Sequence, residues 1–238
     1  MPDRLKIISG SGLKLIAVIT MLIDHTASFL LAYLPAGGTV IFSSSGFSMT
    51  ICELMRYIGR LSFPLFAFLA VEGYFHTKSI KSYAVRLLIF ALISEIPFDL
   101  ALSGKMVSDI QNVLWTILFG ICGIYIVDRY DGGRMRQSAA LVALVVLQIF
   151  FKADYGLSGF SFIMMLYVLR DYPALRAAVG CGILSSRWIA GLAFIPAAMY
   201  NGRRGFIRGR VVKYIFYAVY PVHMLLLYFL RLKFIGNI

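Results

Sequence analysis

The sequence predicts an all-α protein that crosses a membrane several times, and three observations predict it. Sixty per cent of the 238 residues are hydrophobic and 14% are charged, with mean hydropathy +0.83; soluble domains carry about 25% charged residues. Apolar runs of about 20 residues, enough to cross a ~30 Å hydrocarbon layer, recur along the chain. The cations cluster between certain runs and avoid others. The net charge of +12 therefore reads as cationic cytoplasmic loops, not as a surface for nucleic acid.

Taken in order, the runs predict nine spans, near 13–34, 53–75, 84–103, 111–128, 138–151, 156–170, 174–186, 188–200 and 212–231. The first is too long for a cleavable signal, holds an acid and lacks a small-residue cleavage site. Pro64 is expected to interrupt the second span and Pro221 to kink the last, freeing a carbonyl. With no long polar linker and no internal repeat, residues 1–238 read as one domain. If the N-terminus is cytoplasmic, 16 of the 23 lysines and arginines fall inside and 5 outside, while Arg56 and Arg60 lie within a span. That bias predicts N-inside, with an odd span count putting the C-terminus outside. Cys52, Cys122 and Cys181 are widely spaced in or near apolar stretches and read as small packing residues. No CxxC or HExxH occurs, so no metal is expected.

Ionisable residues inside a membrane are functional candidates, each costing roughly 2.5–3.5 kcal/mol even on the lenient insertion scale. Here they are Asp24, His25, Arg56, Arg60, Glu72, Glu95, Asp99 and His223. His25 lies 11 residues past Lys14, about 16 Å along a helix and within ~20° of the same face, near mid-membrane. His223 lies 10 residues past Lys213, at similar depth, so the two histidines are expected to face one cavity. Arg56 and Arg60, at i and i+4, share a face and need a cavity, a carboxylate or an anion. Glu95 and Asp99 are possible partners for the arginines or for a histidine. The loop YNGRRGFIRGRVVKY, with Arg203 and Arg204, suits an anion, since glycines expose N–H groups and arginine forks fit phosphate; it is not a nucleotide P-loop.

One mechanism uses all of these parts. A donor's phosphates dock on cytoplasmic cations while its reactive end reaches a membrane histidine. Acetyl-CoA fits: an anionic nucleotide end joins a long, thin arm. The histidine is then a general base for an acceptor hydroxyl or amine, with Arg or Tyr stabilising the oxyanion. Its orienting partner stays open among Asp24, Glu95 and Asp99. Asp24 is adjacent in sequence but points about 100° away.

The segments LKLIAVITMLIDH, RYIGRLSFPLFAFLAVEGYFHT, YAVRLLIFALISEIPFDL, DYGLSG, YNGRRG and FYAVYPVHMLLLY resemble the TraX family, across nearly the whole chain. That resemblance implies a multi-pass protein of the bacterial inner membrane, linked to acetylation of pilin. The Lys14-to-His25 spacing is similar to the R/K-x10-H motif of acyltransferase family 3, which implies His25 as catalytic histidine. Together with the intramembrane ionisable residues, the candidate site comprises His25, Asp24, His223 and Arg60, with Lys14, Arg56, Arg203, Arg204 and Lys213 for acyl-CoA. The partners are acyl-CoA, membrane lipid and an acceptor protein or glycan. A proton-coupled transporter and a non-enzymatic assembly factor are the alternatives.

Overall fold

The computed structural model describes residues 3–44, 47–207 and 209–236; the side chains of Asp3, Phe47, Ser186, Arg187, Arg210 and Lys213 lie outside that description. The described chain is mostly helical: α1 (Gly10–Phe29), α2 (Ile51–Gly59), α3 (Ser62–His76), α4 (Ile80–Ser103), α5 (Val113–Arg129), α6 (Gly133–Phe151), α7 (Gly156–Val168), α8 (Pro173–Ile183), α9 (Phe194–Ala198) and α10 (Arg210–Phe234). Among the described residues, four segments are long and apolar enough to cross a membrane: Gly10–Tyr33, Ile51–His76, Gly133–Phe151 and Tyr214–Phe234.

The remaining predicted spans depart from that pattern for local reasons. The third is the long helix α4, which carries Lys81, Arg86, Glu95 and Asp99. The fourth, α5, has 17 residues, short of the ~20 that a bilayer asks for. The eighth, 188–200, is a 3-10 stretch, Ser185–Ala193, followed by the five-residue α9. The second, itself one of those four segments, is broken between α2 and α3 at Arg60–Leu61, ahead of Pro64. Pro64 lies in the first turn of α3, where helix N–H groups lack intrahelical partners and proline is tolerated. Pro221 likewise does not end its helix, since α10 continues through it.

The stretch before α2 holds an element that the apolar periodicity does not predict. Strands β1 (Val40–Ser44) and β2 (Phe47–Thr50) pair antiparallel. Thr50 ends the hairpin and starts α2 through a capping box: its N–H donates to Glu53 Oε2 at 2.8 Å, and Glu53 N–H donates back to Thr50 Oγ1 at 3.2 Å. The T-x-x-E spacing encodes that reciprocal pair.

The helices divide into two compact units. In the first (Met1–Phe66, Ile96–Val107, Arg187–Ile238), α1 packs against α2 and α10. Contact is close where residues are small, as membrane helices require in the absence of a hydrophobic drive between them. Buried Gly59 of α2 meets Asp24 of α1: a methyl there would sit 2.7 Å from Asp24 Oδ1. Near the other end of α2, Cys52 Sγ donates to the Ala27 carbonyl at 3.5 Å. The order 24 with 59 and 27 with 52 makes the two helices antiparallel. Arg231, predicted on the outer side, is 3% exposed and donates to the Ala101 and Leu100 carbonyls at 2.9 and 3.1 Å. It satisfies carbonyls in the last turn of α4, a role for which a charged fork suits.

In the second unit (Ala67–Glu95, Ser108–Ser186), α5 is the central helix and packs on α6 and α7. Gly120 and Gly123 present backbone to Ile163 and Phe160 of α7, at 2.7 and 2.8 Å from where a Cβ would be. The α6–α7 corner, containing the DYGLSG motif, puts Lys152 (φ 47°) and Tyr155 (φ 63°) in the left-handed region. That conformation costs about 1–2 kcal/mol per non-glycine residue. Hydrogen bonds from Gln111 N to Lys152 O (3.1 Å) and from Asp154 N to Gln111 O (2.8 Å) hold it.

Candidate active site

Residues Ile8 to Ser11 and Tyr200 to Ile207 build one end of the first unit. Ile8 and Tyr200 form a parallel bridge. Gly10 N–H and Ser11 N–H, at the start of α1, donate to the Arg203 and Arg204 carbonyls at 2.8 and 2.9 Å. Ser9 Oγ, the N-cap, accepts from Gly12 N–H at 3.3 Å. Ser11 Oγ donates to Arg204 O (2.8 Å) and accepts from Ile207 N–H (2.7 Å). The YNGRRG loop thus caps the start of α1 through its carbonyl groups. Gly205, at φ +84°, is required because a Cβ there would lie 2.7 Å from Ser11 Oγ. What the loop offers outward is the exposed side chains of Arg203 and Arg204. Lys14 follows one turn into α1. Lys213 has its backbone in α10, with its side chain outside the described residues.

Helices α1 and α10 both start near this end and meet farther along it. His25 Nδ1 and His223 Nε2 are 2.7 Å apart, with ring planes 3° apart and centroids separated by 5.0 Å. His223 Nδ1 is also 2.7 Å from the Val219 carbonyl one turn back. A carbonyl only accepts, so His223 Nδ1 carries the proton and donates. Neutral His223 then has its Nε2 lone pair facing His25, and His25 Nδ1–H must donate to it. The chain of donors leaves His25 Nε2 with a free lone pair, the form a general base needs. Phe29 and Tyr220 pack at 5.4 and 6.0 Å from the His25 ring.

The residues predicted for the site fall in different places. His25 and His223 are brought together, from opposite ends of the chain. Arg56, on α2 between the contacts of Cys52 and Gly59, is close enough for its charge to act on His25. Arg60 is the C-cap of α2 and bonds the Arg56 carbonyl through its N–H at 3.1 Å. Asp24 turns to α2 and Gly59 instead of bonding His25. The orienting bond of His25 therefore comes from an imidazole, not from any of the three carboxylates considered. Glu95 belongs to the second unit, where it accepts from Asn112 N (3.2 Å), Asn112 Nδ2 (2.5 Å) and Trp115 Nε1 (2.7 Å) at the start of α5. Asp99 is buried at 3% exposure. His25 is the 16th of the 20 residues of α1, about 22 Å from its start and 6 Å from its end. It thus sits toward the far end of the helix.

A sequence profile of a family described as "TraX protein" matches residues 9–231, which include the cap, Lys14 and both histidines. The chain belongs to the TraX family. This TraX chain is also similar to the probable fimbrial assembly protein FimC, serogroup H1, of Dichelobacter nodosus. The two are 30% identical over 253 aligned positions that cover 92% of this chain and 94% of that one. No solved structure matches it.

Proposed function

We propose that this TraX protein is a membrane-embedded acyltransferase that moves an acetyl or other acyl group from a CoA thioester to an amine or hydroxyl of an acceptor. The observation that carries this reading is the ordered chain Val219 O, His223, His25, which keeps a basic nitrogen at the far end of α1 in an apolar setting. His25 Nε2 takes the proton of the acceptor nucleophile as that atom bonds to the thioester carbonyl carbon. Arg56 offsets the negative charge on the carbonyl oxygen. The carbon–sulfur bond then breaks, and His25 returns its proton to the departing thiolate.

The rest of the chain fits this chemistry. Lys14, Arg203 and Arg204 gather where α1 begins and suit the anionic end of acyl-CoA. Lys14 to His25 is about 16 Å along the helix, of the same order as the reach of the CoA arm. Nine membrane crossings of the bacterial inner membrane with the N-terminus in the cytoplasm would bring the donor to that end, and the acceptor would approach the other. The name of the Dichelobacter relative supports a pilus subunit as the acceptor.

The test is acetyl-CoA binding and CoA release by the purified protein in detergent, for wild type and His25→Ala. Saturable binding by both, with CoA release by wild type alone, is the expected result. Equal release by His25→Ala removes the general base, and no binding by wild type removes the donor. That relative's name also favours a second reading, a membrane assembly factor without chemistry. Under it, pilus assembly in cells survives His25→Ala.

A further inference from the structure

The second unit holds a pair of arginines that the proposed reaction does not use. Arg170 follows α7, and its guanidinium carbon stands 3.7 Å from the centroid of the Phe75 ring. Phe75 is in turn stacked on Tyr167, with centroids 5.7 Å apart and planes at 11°. Arg176, on α8, has its guanidinium 5.3 Å from the Phe68 ring. Its Nε is buried and has no hydrogen-bond partner among the described residues. Phe68 and Phe75 lie seven residues apart in α3, within ~20° of one helix face, so the two stacked guanidinium groups share that face.

Like charges on long side chains separate into water unless something holds them. Here aromatic faces hold both, because a guanidinium stacks on a ring. The neighbouring acids are partly engaged elsewhere. Glu72 reaches Arg176 but also lies 3.9 Å from His76 Nδ1. Asp128 accepts from Tyr74 (2.7 Å), Tyr167 (3.0 Å) and Arg129 (3.1 Å). A buried donor left unpaired costs about 1–3 kcal/mol. Two guanidinium groups, one of them with such a donor, ask for an anion with several oxygens, and phosphate meets that geometry.

We propose that Arg170 and Arg176 form a phosphate-binding site that takes a phosphate-bearing anion, either a soluble nucleotide or the headgroup of an anionic phospholipid. Both residues lie in segments that face the cytoplasm in the orientation proposed above, where either source is present. The site does not depend on acyl transfer, because binding is read directly.

Two arms separate the sources. Calorimetry in detergent measures binding of adenosine 3′,5′-bisphosphate; native mass spectrometry after reconstitution measures retention of phosphatidylglycerol against phosphatidylcholine. Wild type is expected to bind in one arm, with about a tenfold loss in Arg170→Gln and in Arg176→Gln. Arg170→Lys and Arg176→Lys keep the charge but not the fork, and a partial loss in them is expected even where a Gln variant fails to fold. The proposal is overturned if wild type binds in neither arm. It is also overturned if the Gln and Lys variants bind as wild type does while Arg203→Gln and Arg204→Gln lose binding.

Discussion

His25 and His223, 198 positions apart in sequence, share one hydrogen bond of 2.7 Å, and the second nitrogen of His223 is tied to the Val219 carbonyl. The relationship is directional. A carbonyl cannot donate, so the proton positions on both rings follow from it, and His223 sets the tautomer of His25.

Replacing His223 tests that direction. In His223→Ala, His25 Nδ1–H loses its acceptor and the proton is free to move to Nε2, where it blocks the base. We expect kcat for CoA release to fall by about 10²-fold or more, with the acetyl-CoA KM little changed. His223→Gln, whose amide oxygen is able to accept, is expected to recover part of that loss. A raised KM with unchanged kcat would place His223 in ligand binding instead.

Gly59 tests the packing that aligns α2 with α1. A Cβ there would lie 2.8 Å from Asp24 Cα as well as 2.7 Å from its Oδ1, so the backbone itself must move. Gly59→Val is expected to destabilise by about 1–3 kcal/mol, visible as a lower Tm of the detergent-solubilised protein. Because Arg56 is carried on the same helix, activity should fall with it. An unchanged Tm would show that the two helices can separate freely.

Glu95 tests whether an intramembrane acid is catalytic or structural. Its carboxylate accepts from Asn112 and Trp115, and Asn112 is fully buried. Glu95→Leu leaves these donors unpaired and should cost about 1–3 kcal/mol for each, while Glu95→Gln should cost less. In variants that remain folded, CoA release is expected to stay near wild type. A folded Glu95→Gln without activity would contradict the structural role.

Gly205 tests the cap on α1. Gly205→Ala forces a left-handed alanine, which costs about 1–2 kcal/mol, against Ser11 Oγ at 2.7 Å. We expect faster amide hydrogen exchange confined to residues 8–13 and 200–207, and a raised acetyl-CoA KM because Arg203 and Arg204 shift. Exchange rates equal to wild type would mean that the clamp carries no stability.

The sequence by itself determined the class of the protein and singled out His25 and His223 among its three histidines. Long apolar runs demand helices in a membrane, since every backbone group must pair within its own segment. An ionisable side chain in such a run is conspicuous because it is costly, which is why Asp24, His25, Arg56 and His223 were legible. Element boundaries near 60 and 188–200 were less legible, because hydropathy reports burial in lipid and is blind to where a helix changes to 3-10 geometry or breaks. Only the tertiary structure decided the partners. A run of sequence specifies which residues share a helix face, but not which helix that face meets. Thus it could not tell that Asp24 packs on Gly59, that Glu95 holds the Asn112 cap of α5, that Arg231 satisfies the end of α4, or that His25 receives its orientation from a histidine 198 residues away. These pairings are fixed by close contacts between helices distant in the chain, where a glycine, a carbonyl or a single ring nitrogen selects the geometry.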